Sequence, residues 1–146
     1  MTASQILPGP TSEDSKLLLI LACQLASCEM LLSILFLGAT PRRRWTETGE
    51  IEEIAASCIG LAPDLEDFLS DVSRSRKAAD ELQMASVISR TADDRYVLDP
   101  TIRDRVLAML SPEVQSFWRH QALVIAYRSV PWKYLEPVYV CKSPVA

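Results

Sequence analysis

The side chains able to do chemistry are few. The chain of 146 residues has one histidine, His120, and four cysteines, Cys23, Cys28, Cys58 and Cys141. A single histidine excludes any mechanism that needs two. Cys23, Cys28, Cys58 and His120 carry the atoms of a zinc site, but their spacing fits no zinc pattern. Cys58 and His120 could form a nucleophile–base pair, yet each has a plainer reading. Three of the cysteines sit among apolar residues, where a free thiol behaves as a small buried hydrophobe. His120 falls one helical turn from Phe117 and Val124, at the edge of a core. Ser57 lies in Ala-Ala-Ser-Cys-Ile-Gly, a helical context rather than a nucleophile elbow. Gly9, Gly38, Gly49 and Gly60 are too scattered for a phosphate-binding loop. The acid pairs Glu66-Asp67 and Asp93-Asp94 are adjacent in sequence, so they point apart or lie in turns on solvated faces. No catalytic residue, cofactor-binding residue or metal ligand is assigned, and the chain reads as a non-enzyme.

Composition sets the frame for those side chains. Apolar residues make up 49% and charged residues 23%, the balance of one globular domain with a real core. The formal net charge of −4 argues against non-specific nucleic-acid binding and against an anionic membrane surface. Met1 to Lys16 is polar and acidic where a secretory signal would be basic, and the chain is too apolar for a disulfide scaffold. A reducing, cytoplasmic setting is expected. The run Leu17 to Leu37 is long enough to span a bilayer, but Gln24, Ser27, Glu29 and Ser33 interrupt it. A carboxylate near its centre costs about 2.5–3.5 kcal/mol and each leucine returns about 0.3–0.6, so charge alone does not decide. Ser27 followed by Glu29 reads as a helix start, which splits the run into two buried helices. A run this apolar is also expected to leave an apolar patch if a neighbour normally covers it.

Along the chain, residues 1–13 read as a disordered leader and 14–110 as one helical domain. Residues 111–137 read as a helix and tail leading toward a possible repeat, and 138–146 stay unassigned. Helices are expected over about Asp14–Ala26 and Cys28–Leu37, the second stopped by a left-handed Gly38. Arg42 to Gly49 reads as a loop with a turn. Ile51, Ile54, Ala55 and Cys58 have the i, i+3, i+4, i+7 spacing of an amphipathic helix over 50–59, ended by Gly60. Pro63 to Asp71 forms a short helix with Leu65, Phe68 and Leu69 inward. Ser73 to Ala85 forms another, with Ala78, Leu82 and Met84 or Ala85 as its apolar side. Val87–Arg90 and Tyr96–Leu98, flanking a polar turn, form a hairpin. Asp99-Pro100 and Ser111-Pro112 place a capping side chain before a first-turn proline, so helices follow over about Thr101–Leu110 and Glu113–Arg128. Phe117 and Trp118 are the expected core anchors of the last one.

Helices, then a helix and a hairpin, then more helices is the order of a winged-helix module: a mostly α domain with one small β-hairpin and C-terminal helices. The Ser73 helix stands where a recognition helix would, and Arg74, Arg76 and Lys77 are its candidate contacts. From Ser73 to Arg105, however, seven basic residues face six acids, too even a balance for a phosphate-binding face. A small DNA-binding regulator is therefore the second reading.

Glu81 to Ile88, Tyr96-Val97-Leu98-Asp99, Trp118 to Leu123 and Val130 to Pro137 resemble the winged-helix region that follows the nucleotide-binding domain in fungal NLR-like proteins of the STAND class. These are the NB-ARC proteins that often continue into tetratricopeptide repeats. The resemblance covers Leu17 to Pro137. It implies a non-enzymatic regulatory module, a fragment of a signalling ATPase without its own phosphate loop. The partner it implies is a protein, or a neighbouring nucleotide-binding or tetratricopeptide-repeat domain, with nucleic acid and membrane not expected. In that family a Met-His-Asp motif senses the nucleotide phosphate. The matching positions are Val97, Leu98 and Asp99, where leucine replaces the histidine and Asp99 already has a role as a helix cap. Trp132 and Tyr134 join Arg74, Arg76 and Lys77 as candidate interaction residues.

Overall fold

The computed structural model describes residues 12–25, 28–93 and 95–129. The first helix, α1 (Glu13–Cys23), is capped by Ser12, whose hydroxyl accepts from the Ser15 amide. Residues 18 to 23 are all buried, so α1 is apolar around its whole circumference and serves as the central strut of the core. Strand β1 (Glu29–Leu31) and helix α2 (Leu32–Ala39) follow. Two further strands, β2 (Arg42–Trp45) and β3 (Ile51–Ile54), form a separate hairpin. A 3-10 turn at Ala56–Ile59 leads to α3 (Pro63–Ser70) and α4 (Val72–Met84). Strands β4 (Ile88–Ala92) and β5 (Arg95–Leu98) precede α5 (Pro100–Met109) and α6 (Pro112–Arg128).

The protein is thus mostly helical with a small antiparallel sheet. That sheet has the order β1-β5-β4, with Met30 opposite Tyr96 and Ile88 opposite Leu98. All four side chains are buried and lie on the face turned to the helices. The two proline-initiated helices start where expected: Asp99 accepts from the Thr101 amide and Ser111 from the Val114 amide. Leu65, Phe68 and Leu69 of α3 are buried, also as expected.

Four local expectations are corrected. Residues 50–59 are not a helix; β3 pairs with β2, placing Glu53 opposite Arg43 and Glu52 opposite Arg44. Gly49, at φ +86°, supplies the left-handed turn, and Ile51 stays 52% exposed. The turn and the strand pairing outweigh an apolar spacing that has no core to face. Glu29 does not open a helix but pairs with Val97 in the sheet; Ser27 lies outside the described residues, and α2 begins only at Leu32. Phe117 is largely exposed, so Trp118 alone of the pair anchors α6, meeting Phe117 edge-on at 5.7 Å. Met84 and Ala85 are exposed, while Ala78 and Leu82 are buried as expected and are joined on that face by Ser75 and Ala79.

Gly38 has a different role from the expected stop. It lies inside α2, where a Cβ would fall 2.6 Å from both the Cγ2 and the carbonyl oxygen of Ile125. Only glycine lets α2 and α6 approach this closely. Two buried polar side chains lock the same face of α6. Gln121 accepts from the Ala62 amide (2.8 Å) and donates to the Gly60 carbonyl (3.0 Å). Arg128 donates to Gly38 O (3.0 Å), Thr40 O (2.7 Å) and Ile54 O (3.0 Å). Gln121, Ile125 and Arg128 stand at i, i+4 and i+7, so one stripe holds α2, the loop before α3 and the β2–β3 hairpin.

Two substitutions test this stripe. Arg128→Met keeps the aliphatic stem but strips three carbonyls of their donor, and should cost about 2–4 kcal/mol in urea unfolding at unchanged m-value. Gly38→Ala would stabilise an unconstrained helix by about 1 kcal/mol. Here it should destabilise by about 1–3 kcal/mol, because backbone atoms of Ile125 cannot yield.

Candidate functional site

Helix α4 carries the candidate contacts. Asp71 caps it by accepting from the Arg74 amide, and the buried Ser75 hydroxyl donates to Phe68 O, closing the bend from α3. Its small buried residues, Ser75, Ala78 and Ala79, let it lie close against α1. Ser73, Arg74, Arg76, Lys77 and Asp80 are left on the solvent side.

Arg74 is not offered outward. Its Nε and Nη2 donate to the two carboxylate oxygens of Asp14 at 3.1 and 2.8 Å, and the guanidinium lies 5.5 Å from the centre of the Phe68 ring. The hydrogen bond to Asp14 raises its pKa further. Arg76 and Lys77 are exposed as well. One turn on, the Glu81 carboxylate accepts from the Ser12 hydroxyl at 2.6 Å, which holds it below the usual glutamate range.

The hairpin β4–β5 adds little positive charge to that face. Arg90 folds back to donate to Ala92 O and Asp93 O, with the Asp93 carboxylate 3.6 Å away. Arg95 stands 3.9 Å from Glu29. Arg103, on α5, donates to Cys23 O at 3.0 Å and so closes the end of α1. Four of the seven basic residues counted in the sequence are therefore committed to partners inside the fold.

The positions that match the nucleotide-sensing motif are likewise taken up by structure. Val97 is half-buried in the middle strand, paired to Glu29 on one side and Ser89 on the other. Leu98 is buried and its amide donates to Cys28 O at 2.8 Å. The Asp99 carboxylate accepts from the Thr101 amide at 2.8 Å. Trp132 and Tyr134 lie outside the described residues.

The potential nucleophiles are dispersed. Cys23 is fully buried beside α5, and burial pushes its thiol up to about 12 despite the Arg103 charge. Cys58, expected on an apolar helix face, is exposed in the 3-10 turn. His120 faces Gly60: a Cβ there would sit 3.1 Å from its Nε2. Among the described residues, no group of three or more His, Cys, Asp or Glu is placed to hold a metal ion. No helix among them is long and apolar enough to cross a membrane.

The concave feature that residue chemistry did not single out is apolar. A groove of about 340 Å³ is lined by Leu21, Leu25, Leu31, Ile34 and Leu35, with Ala122, Ile125 and Ala126 of α6 and Glu29 at its rim. Its first five residues all come from the run Leu17 to Leu37. The excess of apolar residues there was the available signal, since α1 alone accounts for only part of it. No family model, curated protein or solved structure matches the chain.

Two measurements check the electrostatics. A double-mutant cycle on Arg74→Ala and Asp14→Asn should give a coupling of about 0.2–1 kcal/mol that shrinks in 1 M salt, since the pair is partly exposed. For Cys23 the folded thiol ionises near 12 and the unfolded one near 9.0. Stability should therefore fall as pH rises through that window, by up to about 1.4 kcal/mol per unit, because the native state holds the extra proton. In Cys23→Ala that slope should be absent.

Proposed function

We propose that the chain is a non-enzymatic regulatory and interaction module built on a winged helix, of the kind that follows the nucleotide-binding domain in NLR-like STAND proteins. The observation that carries the reading is the apolar surface of α6. Leu123 and Tyr127 stand at i and i+4 and are 63% and 77% exposed. His120 continues the stripe one turn earlier, and Phe117 flanks it. Aromatic and large aliphatic groups grouped on one helix face are what protein interfaces use as anchors.

The element order supports the winged-helix part. Helix α4 leads directly into the hairpin β4–β5, and β1, from between the first two helices, joins that hairpin in the order β1-β5-β4. The insertion of β2–β3 between α2 and α3 is an addition to that plan. The partner in this reading is a protein, most simply a neighbouring nucleotide-binding or repeat domain in an intracellular switch protein.

The DNA-binding reading has Arg76 and Lys77 in its favour and the internal commitments of Arg74, Arg90, Arg95 and Arg103 against it. Phosphate contacts supply most of the affinity of a DNA reader, and a cation paired within the fold must break that pair to make one. The module reading predicts no heat of binding when the chain is titrated with ADP or ATP. It also predicts no mobility shift of duplex DNA at low salt. Tight nucleotide binding would contradict it. A micromolar DNA shift that falls steeply with salt and disappears on changing Arg74, Arg76 and Lys77 to alanine would replace it with the DNA reading.

A further inference from the structure

We infer that the solvent face of α6 is a seam that pairs with α6 of a second copy of the chain, the two helices lying antiparallel about a two-fold axis. The inference rests on the reading of α6 as an interaction surface and names the partner that surface takes.

The first observation is spacing. Glu113, Ser116, His120, Leu123 and Tyr127 are all exposed, and successive members stand three, four, three and four residues apart. That is the 3.5-residue repeat of a two-helix seam. The buried side of α6, from Trp118 to Arg128, is turned to the core. Among the described residues, α6 thus carries a second stripe that points to solvent.

The second is self-complementarity. The seam is polar toward its start, at Glu113 and Ser116, and apolar toward its end, at Leu123 and Tyr127. Placed antiparallel, with His120 level with Leu123 of the second copy, it sets Ser116 against Tyr127, so each bulky ring meets a small side chain. Both layers then occur twice, as a two-fold axis requires. A parallel pair would instead set Glu113 on Glu113 and Tyr127 on Tyr127, with like charges and like helix dipoles side by side. A foreign partner would have no need of a seam whose two halves match each other. Phe117, met edge-on by Trp118, flanks the seam.

The third is area. An aromatic side chain buries about 150–250 Å², so Tyr127 and Phe117, 77% and 48% exposed, offer about 250 Å² between them. With Leu123 and the rest of the seam, one copy contributes about 500 Å² and a pair about 1,000 Å², the lower bound for a specific interface. That area fits a reversible dimer of micromolar affinity rather than an obligate one.

The test uses the full chain. Sedimentation equilibrium from low to several hundred micromolar should show a reversible monomer–dimer equilibrium with no larger species, since a two-fold interface closes on itself. Leu123→Glu and Tyr127→Glu, both at exposed positions, should each weaken it at least tenfold, with circular dichroism and the urea midpoint as in the parent chain. For the geometry, p-benzoylphenylalanine in place of Tyr127 keeps an aromatic ring on the seam. Irradiated mixtures of isotopically distinct copies should give crosslinks between copies that land on residues 113–117. Crosslinks between copies at position 127 itself would overturn the antiparallel arrangement. Crosslinks confined to one chain would overturn the pairing in favour of a segment of the chain's own. A monomer at every concentration would also overturn it but leave the module reading standing, since that reading falls to nucleotide or DNA binding instead.

Discussion

The arrangement depends on a buried guanidinium. Arg128 sits at the end of α6 and gives its hydrogen bonds to three main-chain carbonyls: Gly38 and Thr40 at the end of α2, and Ile54 at the base of the β2–β3 hairpin. Burial, then the Arg42 charge, draw its pKa below the ordinary arginine value, with Glu66 acting in the opposite sense. A buried cation is tolerable only when its donors are used, and these carbonyls would otherwise be a helix end without partners. The same device recurs. Arg103 closes the end of α1, Ser75 that of α3, and Gln115 donates to Leu107 O and Leu110 O at the end of α5. The ends of α1, α2, α3 and α5 are thus completed by side chains that come later in the sequence, so these four helices are finished only when a later helix packs.

That logic explains which parts could be read from the sequence. The starts of α5 and α6 were legible because Asp99-Pro100 and Ser111-Pro112 are self-contained: cap, proline and helix lie within a few residues. So was the inward face of α3, where Leu65, Phe68 and Leu69 share one side. The helix ends were not, since Arg128 and Gly38 are ninety residues apart. Gly38 looked like a stop because a glycine near a helix end usually is one. Its actual constraint is Ile125, invisible to any local pattern. Residues 51 to 58 misled for a related reason. Their apolar spacing is helical, while the backbone pairing of residues 42–45 with 51–54 spans a turn. The arginine run and the acidic run on either side of Gly49 were the legible hint. The strand Glu29–Leu31 is only three residues long and exists because β5 offers it an edge.

The surface follows from the same economy of charge. Basic residues that might have faced a nucleic acid are used to tie helices together, and the acids at Asp14 and Glu29 stand opposite two of them. Chemistry-bearing residues were legible as isolated groups, and they stay isolated, with Cys23 sealed in the core and Cys58 out in solvent. The groove was half legible. The run Leu17 to Leu37 holds more apolar side chains than one helix can bury, but its second wall comes from α6, a hundred residues away. The fold thus carries an apolar groove and the exposed Phe117, Leu123 and Tyr127 of α6 on a body braced by buried polar side chains.

The claim at the centre is that α6 is part of the cooperative core rather than a helix appended to it. Native-state hydrogen exchange on the full chain measures this directly. The amides of Ala122 to Ile125 should open with the same free energy and the same denaturant dependence as those of Leu18 to Leu21, in one global event. If the α6 amides open at markedly lower free energy while α1 and α4 remain protected, the brace is not what holds the fold together.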